Sequence, residues 1–161
     1  MTLGIVTVLL TFIGMEGVAW LAHKYVMHGI GWYLHKDHHE PHNKKTEKND
    51  FFFLIFAIPS WLCIMLGMIY GNEVSVFIGY GIIAYGLCYV VVHEIFIHQR
   101  IKWLRNTNKP YFKAIRYAHK IHHKHLGKED GECFGMLFVP FKYYKKAIQE
   151  KSLKKWVYTS G

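Results

Sequence analysis

Twelve histidines stand against eleven acidic residues in this chain of 161, and ten of the twelve fall in two matched sets. His23 and His28 are followed by His35, His38 and His39; His93 and His98 are followed by His119, His122 and His123. Each set reads HxxxxH and then HxxHH. Random placement almost never repeats two spacings in the same order, so incidental core or surface histidines are set aside. Neutral imidazole is a common donor to borderline divalent ions, and two sets of five with coordination positions left over suit two such ions. Iron is the one that uses such open sites to activate O2. Zinc would also bind, but structural zinc closes a tetrahedron with four ligands, and ten are too many for one.

Each helical residue turns about 100°, so positions i, i+3 and i+4 of HxxHH lie within roughly 100° of circumference, and three imidazoles can face one metal pair. HxxxxH is less obvious, because two residues five apart stand roughly 140° apart on a regular helix. Either the helix loosens there through a π-bulge, or the two histidines serve different metals.

Other polar residues are candidates for supporting roles. Asp37 and Glu94 each neighbour a histidine of the sets and can orient an imidazole by accepting from its far ring nitrogen; the alternative is a solvated carboxylate. Glu16 stands inside an apolar run, where a carboxylate is costly and faces protein or a cavity. It precedes His23 by two turns, about 10 Å along the axis, so the expected role is a bond to a histidine from another helix, with snorkelling to the interface as the alternative. His42 and His125 read as surface or supporting residues, and Trp20, Trp61 and Trp103 as packing or interfacial aromatics.

These side chains need rigid elements to hold them. The chain is 52% hydrophobic and 17% aromatic, which excludes disorder, and its length fits one domain over 1–161. Phe51 to Tyr70 and Val74 to Val92 contain no Asp, Glu, Lys or Arg, and Met1 to Ala22 is interrupted only by Glu16. Each is long enough as a helix to cross a bilayer core of about 30 Å. Buried helices of a soluble bundle would carry polar faces that these runs lack. The expected fold is therefore an all-α integral membrane protein with three to four transmembrane helices, near 1–22, 51–70 and 74–92, under a cytosolic histidine-rich helical cap. Gly71, Asn72 and Glu73 leave room only for a tight hairpin.

A net charge of +9 first admits nucleic acid as a partner, but its distribution argues against one. Basic residues lie between the first and second runs and after the third, from Arg100 onward, and none lies in the hairpin. By the positive-inside rule both basic regions are cytoplasmic and form a collar attractive to anionic lipid. A helix is expected from Tyr111 to about His125. The stretch 133–141 is short for a helical span and reads as interfacial or re-entrant, with a broken fourth span as the alternative. The basic tail 142–161 reads as an interfacial amphipathic helix or a frayed terminus. Cys63, Cys88 and Cys133 make no disulfide framework, and the N-terminal run lacks the basic flank and cleavage site of a signal peptide, so a retained helix is expected.

In this order and spacing, the four histidine motifs resemble the metal signature of the β-carotene hydroxylases, within the membrane-bound, non-haem diiron fatty-acid hydroxylase superfamily. The likeness extends to Gly14-Met15-Glu16, the block Ala19 to Gly29, His38-His39-Glu40-Pro41, Ala84-Tyr85-Gly86, His98-Gln99-Arg100, Gly127-Lys128-Glu129 and Phe134-Gly135. These blocks cover most of 14–140; Glu94 departs from the Asp common there. The resemblance implies two non-haem iron ions held by the ten histidines. It also implies O2-dependent hydroxylation of the β-ionone rings of β-carotene at C3, through β-cryptoxanthin to zeaxanthin, with a ferredoxin-type electron donor. The rival enzymes are a carotenoid ketolase and a fatty-acid or sterol hydroxylase or desaturase; a histidine-rich metal transporter is the non-enzymatic rival. A transporter would hold its ligands near the bilayer midplane, whereas these histidines cluster at the ends of the spans.

Overall fold

An apolar run inside a bilayer has no water for its backbone and must satisfy its amides internally. In the computed structural model, which describes residues 1–40, 46–101, 107 and 109–149, the three apolar runs are accordingly helices. Helix α1 (Thr2–Leu21) passes without a break into a π-helical segment, Ala22–Ile30, and α2 (Trp32–His39) follows Gly31. A single tight turn, Lys48–Asp50, leads into α3 (Phe51–Ile69); α4 (Glu73–Tyr89) then runs into a second π-helical segment, Val90–Ile97. The next helix, α5, is Pro110–His122, and residues 141–149 form α6. No strand occurs among the described residues.

With their extensions the three long helices cover Thr2–Ile30, Lys48–Ile69 and Glu73–Ile97, each long and apolar enough to cross a membrane. Large apolar side chains such as Leu9, Leu10, Ile55 and Ile69 are exposed along them, as lipid-facing residues are. This is an all-helical membrane protein.

Helix α4 packs against both α1 and α3. The α3–α4 hairpin turns at Gly71, whose φ of +66° is the left-handed conformation glycine adopts without penalty. The Asn72 side chain then caps α4 by accepting the Ser75 N–H at 3.1 Å. Further along, the two helices meet at a small-residue contact, where Ser60 Oγ donates to the Gly79 carbonyl at 2.8 Å. A Cβ on Gly79 would stand 2.8 Å from the Ser60 carbonyl oxygen, a backbone atom that cannot step aside. Gly79→Val is therefore expected to destabilise the protein by about 1–3 kcal/mol, read as a lower thermal midpoint in detergent. Gly14→Ala, whose Cβ meets nothing within 4 Å, should leave that midpoint unchanged.

Residues 131–140 are irregular, so this stretch forms no fourth helical span, and α6 begins only at 141. The start of the basic tail is docked rather than frayed: Tyr143 and Ala147 of α6 pack on Ala114 and Ala118 of α5. Residues 150–161 lie outside the described residues, as do His42 and Trp103.

Candidate metal centre

The HxxxxH motifs lie in the two π-helical segments. In the second, the His98 N–H donates to the His93 carbonyl at 2.9 Å, a bond spanning five residues; in the first, the Gly31 N–H reaches the Val26 carbonyl at 2.7 Å in the same register. In this loosened winding residues five apart come round to one face. The His23 and His28 rings stand 5.3 Å apart, and those of His93 and His98 4.6 Å. Of the two readings of HxxxxH, the structure has the loosened helix.

Two clusters result. His23, His28, His35, His39 and His122 each offer a ring nitrogen, all within 4.8 Å of one another; His38, His93, His98 and His119 do the same. His123 joins the second through a 2.8 Å approach of its Nε2 to that of His119. All ten histidines of the two motif sets are thus brought together, but the clusters are not the sets. The middle histidine of each HxxHH has crossed over, His38 to the second cluster and His122 to the first. Helix geometry gives the reason: positions i and i+4 differ by only about 40°, whereas i+3 stands about 60° away on the other side and points at the neighbouring position.

Hydrogen bonds fix which ring nitrogens carry protons in the first cluster. Nδ1 of His23 meets the Phe134 carbonyl at 2.9 Å, His28 that of Lys128 at 3.2 Å, His39 that of His125 at 2.9 Å and His122 that of Glu132 at 2.9 Å. His35 Nδ1 meets the Asn49 side-chain oxygen at 2.7 Å. These oxygens only accept, so every Nδ1 donates and every Nε2 presents a lone pair. Yet the Nε2 atoms of His23 and His35 lie 3.1 Å apart, and those of His28 and His122, and of His39 and His35, 3.2 Å. Lone pairs facing each other without a proton call for a cation among them. In the second cluster His38 Nε2 is buried with no hydrogen-bond partner. Five convergent neutral imidazoles and an orphaned ring nitrogen fit borderline divalent ions, iron included.

The carbonyls that orient these rings come from irregular backbone. Cys133, with a φ of +65°, stands between the Glu132 and Phe134 carbonyls that hold His122 and His23. Such left-handed conformations in non-glycine residues are costly and persist where the surroundings enforce them. His125 contributes through its backbone carbonyl.

Outside the spans, burial and the neighbouring rings push the histidines far down: His35 to about 3, His39 to about 4, His98, His122 and His123 to about 2. Neutral rings are what a metal requires. A histidine whose folded pKa lies below its unfolded value of about 6.5 binds fewer protons folded than unfolded. Stability from these rings is therefore complete above about pH 6.5 and lost as the pH falls toward 4 and below. Melting of the purified chain in stepped buffers should show its midpoint falling steadily over that window; a flat profile would contradict the burial.

The carboxylates divide differently from expectation. Glu94 does orient its neighbour, taking the His93 Nδ1 hydrogen bond at 2.6 Å. Asp37 instead accepts the Lys48 backbone N–H at 2.8 Å, which holds the 46–50 turn against α2. Glu16 bonds no histidine among the described residues. Its Oε1 accepts the N–H groups of Met136, Leu137 and Phe138 at 2.9, 2.8 and 3.1 Å, and its Oε2 the Tyr85 hydroxyl at 2.7 Å. A buried carboxylate in an apolar span is tolerated because these donors replace water. It acts on His23 at one remove, by fixing the segment that carries the Phe134 carbonyl. Glu47, which accepts from His38 Nδ1 at 2.6 Å, and Asn49 escaped the sequence reading; both precede the second apolar run with no spacing that ties them to a histidine.

A cavity of about 600 Å³ runs between α1, α3 and α4 up to the clusters, reaching His23, His35, His93 and His119. Its walls are mostly apolar, and Phe53, Trp61, Ile83 and Leu87, all exposed, lie around it. A hydrophobic molecule dissolved in the bilayer can enter from the side.

Apolar spans, a lateral cavity and histidine clusters at its end suit a membrane oxygenase, and similarity to known proteins identifies one. Residues 8–143 match the family described as "Fatty acid hydroxylase", and the chain belongs to it. Within that family the chain is 45% identical over 133 residues to a beta-carotene hydroxylase of Pantoea ananas, covering 83% of this chain and 75% of the relative. It is 36% identical over 134 residues to another from Paracoccus sp. (strain N81106 / MBIC 01143), covering 83% and 82%. To beta-carotene hydroxylase 1, chloroplastic, of Capsicum annuum it is 31% identical over 142 residues, 86% of this chain and 44% of that longer protein. No solved structure matches the chain.

Proposed function

We propose that this chain hydroxylates the β-ionone rings of β-carotene at C3, giving β-cryptoxanthin and then zeaxanthin, with two iron ions held by the ten histidines. The observation that carries the reading is the 45% identity to a beta-carotene hydroxylase over most of both chains. The apolar lateral cavity ending at His23, His35, His93 and His119 supports it, since carotene reaches the enzyme only through the bilayer. In each turnover a ring C–H becomes C–OH and the second oxygen atom of O2 leaves as water, consuming two electrons and two protons. The iron pair, when bound, supplies the O2 activation and the oxidant. The chain's residues hold the ions, keep the ring nitrogens neutral, exclude water through the apolar cavity walls and bring one ring carbon to the histidine end.

We place the histidine cap on the cytosolic side of a bacterial cytoplasmic membrane, a reading supported by the basic residues that flank the spans at the histidine end. An acidic ferredoxin-type donor is drawn to the same collar. Expression in a carotene-accumulating host tests the reading. Zeaxanthin from the wild type and unchanged carotene from the His39→Ala variant are expected; canthaxanthin, or an unchanged pool from the wild type, would overturn it.

A further inference from the structure

Resting on the assignment of one metal ion to each histidine cluster, we propose that the two positions are inequivalent and that the second, around His38 and His93, holds its ion more tightly and fills first. The difference lies in what the far ring nitrogens touch. In the first cluster all five Nδ1 atoms donate to uncharged oxygens, four backbone carbonyls and the Asn49 amide. In the second, His38 donates to the Glu47 carboxylate and His93 to the Glu94 carboxylate, both at 2.6 Å.

A carboxylate behind an imidazole raises its basicity and strengthens its bond to a metal. Arg100 ties this arrangement together: its guanidinium lies 3.3 Å from Glu47, 2.9 Å from Asp50 and 2.7 Å from Glu94. One guanidinium among three carboxylates fixes their positions beside the second cluster. The first cluster's ring contacts carry no carboxylate charge. Five rings serve the first position, and four, with His123 as a fifth, the second, so donor number does not offset the charge difference.

The test is a competitive-chelator titration of the metal-free, detergent-purified full chain with Co(II) under exclusion of O2. Wild type should bind two ions in two resolved steps. Glu47→Gln and Glu94→Gln keep an accepting oxygen but remove the charge, and should weaken the tighter step by about 10- to 100-fold while sparing the weaker one. Asn49→Asp does the converse: it puts a carboxylate behind His35 and should tighten the weaker step, narrowing the gap. Two equal steps in wild type would overturn the proposal, as would glutamine variants that weaken the weaker step or an aspartate variant that tightens the stronger. Because the wild-type isotherm needs no variant, a misfolded mutant leaves the proposal exposed to refutation. Failure of wild type to bind Co(II) at all would instead remove the metal assignment beneath it.

Discussion

Replacing His122 with alanine should abolish hydroxylation and remove one metal ion while leaving the other bound. Its ring is fully buried, and its Nε2 lies 3.2 Å from that of His28 while its Nδ1 is anchored on the Glu132 carbonyl. Loss of a mere ring-orienting partner costs about 10- to 100-fold in metal affinity, and loss of the ligand itself should exceed the upper figure. His122 belongs by sequence to the set of His93, His98, His119 and His123, yet its removal should empty the position of His23, His28, His35 and His39. His38→Ala should do the reverse. Metal content per chain, with carotenoid product, reads both effects.

Glu16→Ala should be the most damaging change away from the histidines. It leaves three backbone N–H groups and the Tyr85 hydroxyl unpaired in an apolar interior, where each orphaned group costs about 1–3 kcal/mol. Their sum approaches the whole stability of a typical domain, about 5–15 kcal/mol. The 134–138 segment would come loose, and with it the Phe134 carbonyl that orients His23. Glu16→Gln retains an accepting oxygen for the backbone and should be much milder. The expected readouts are a large fall in thermal midpoint for the alanine variant, a small one for the glutamine variant, and hydroxylation lost only in the former. Equal behaviour of the two would show that the hydrogen bonds of Glu16 do not hold the segment.

Much of this site is legible in the sequence. Motif spacing exposed ten histidines, and the uncharged runs exposed three helices, because bilayer length and helical rise leave few alternatives. The loosened helix at HxxxxH was one of two readings that the angular arithmetic itself allowed. The crossing of His38 and His122 was implicit in the same arithmetic, since i+3 diverges from i and i+4, but choosing the neighbouring position required knowing that α2 and α5 face each other. Glu16 stands out in the sequence as a carboxylate inside an apolar run, but its three backbone partners do not, because they lie some 120 residues further along with no periodic signal. Glu47 and Asn49 were missed for a related reason: the turn at 46–50 reaches the histidines only once Asp37 has drawn it against α2.

The interleaving of the two histidine sets is decided by counting iron bound per chain, after anaerobic reconstitution, in two double variants. His23→Ala with His122→Ala removes two ligands from one position, so one iron should remain. His93→Ala with His122→Ala removes one ligand from each, so both should be lost. The opposite pattern, one iron retained in the His93/His122 variant and none in the His23/His122 variant, would mean that each ion is held by its own sequence set and that the crossed arrangement is wrong.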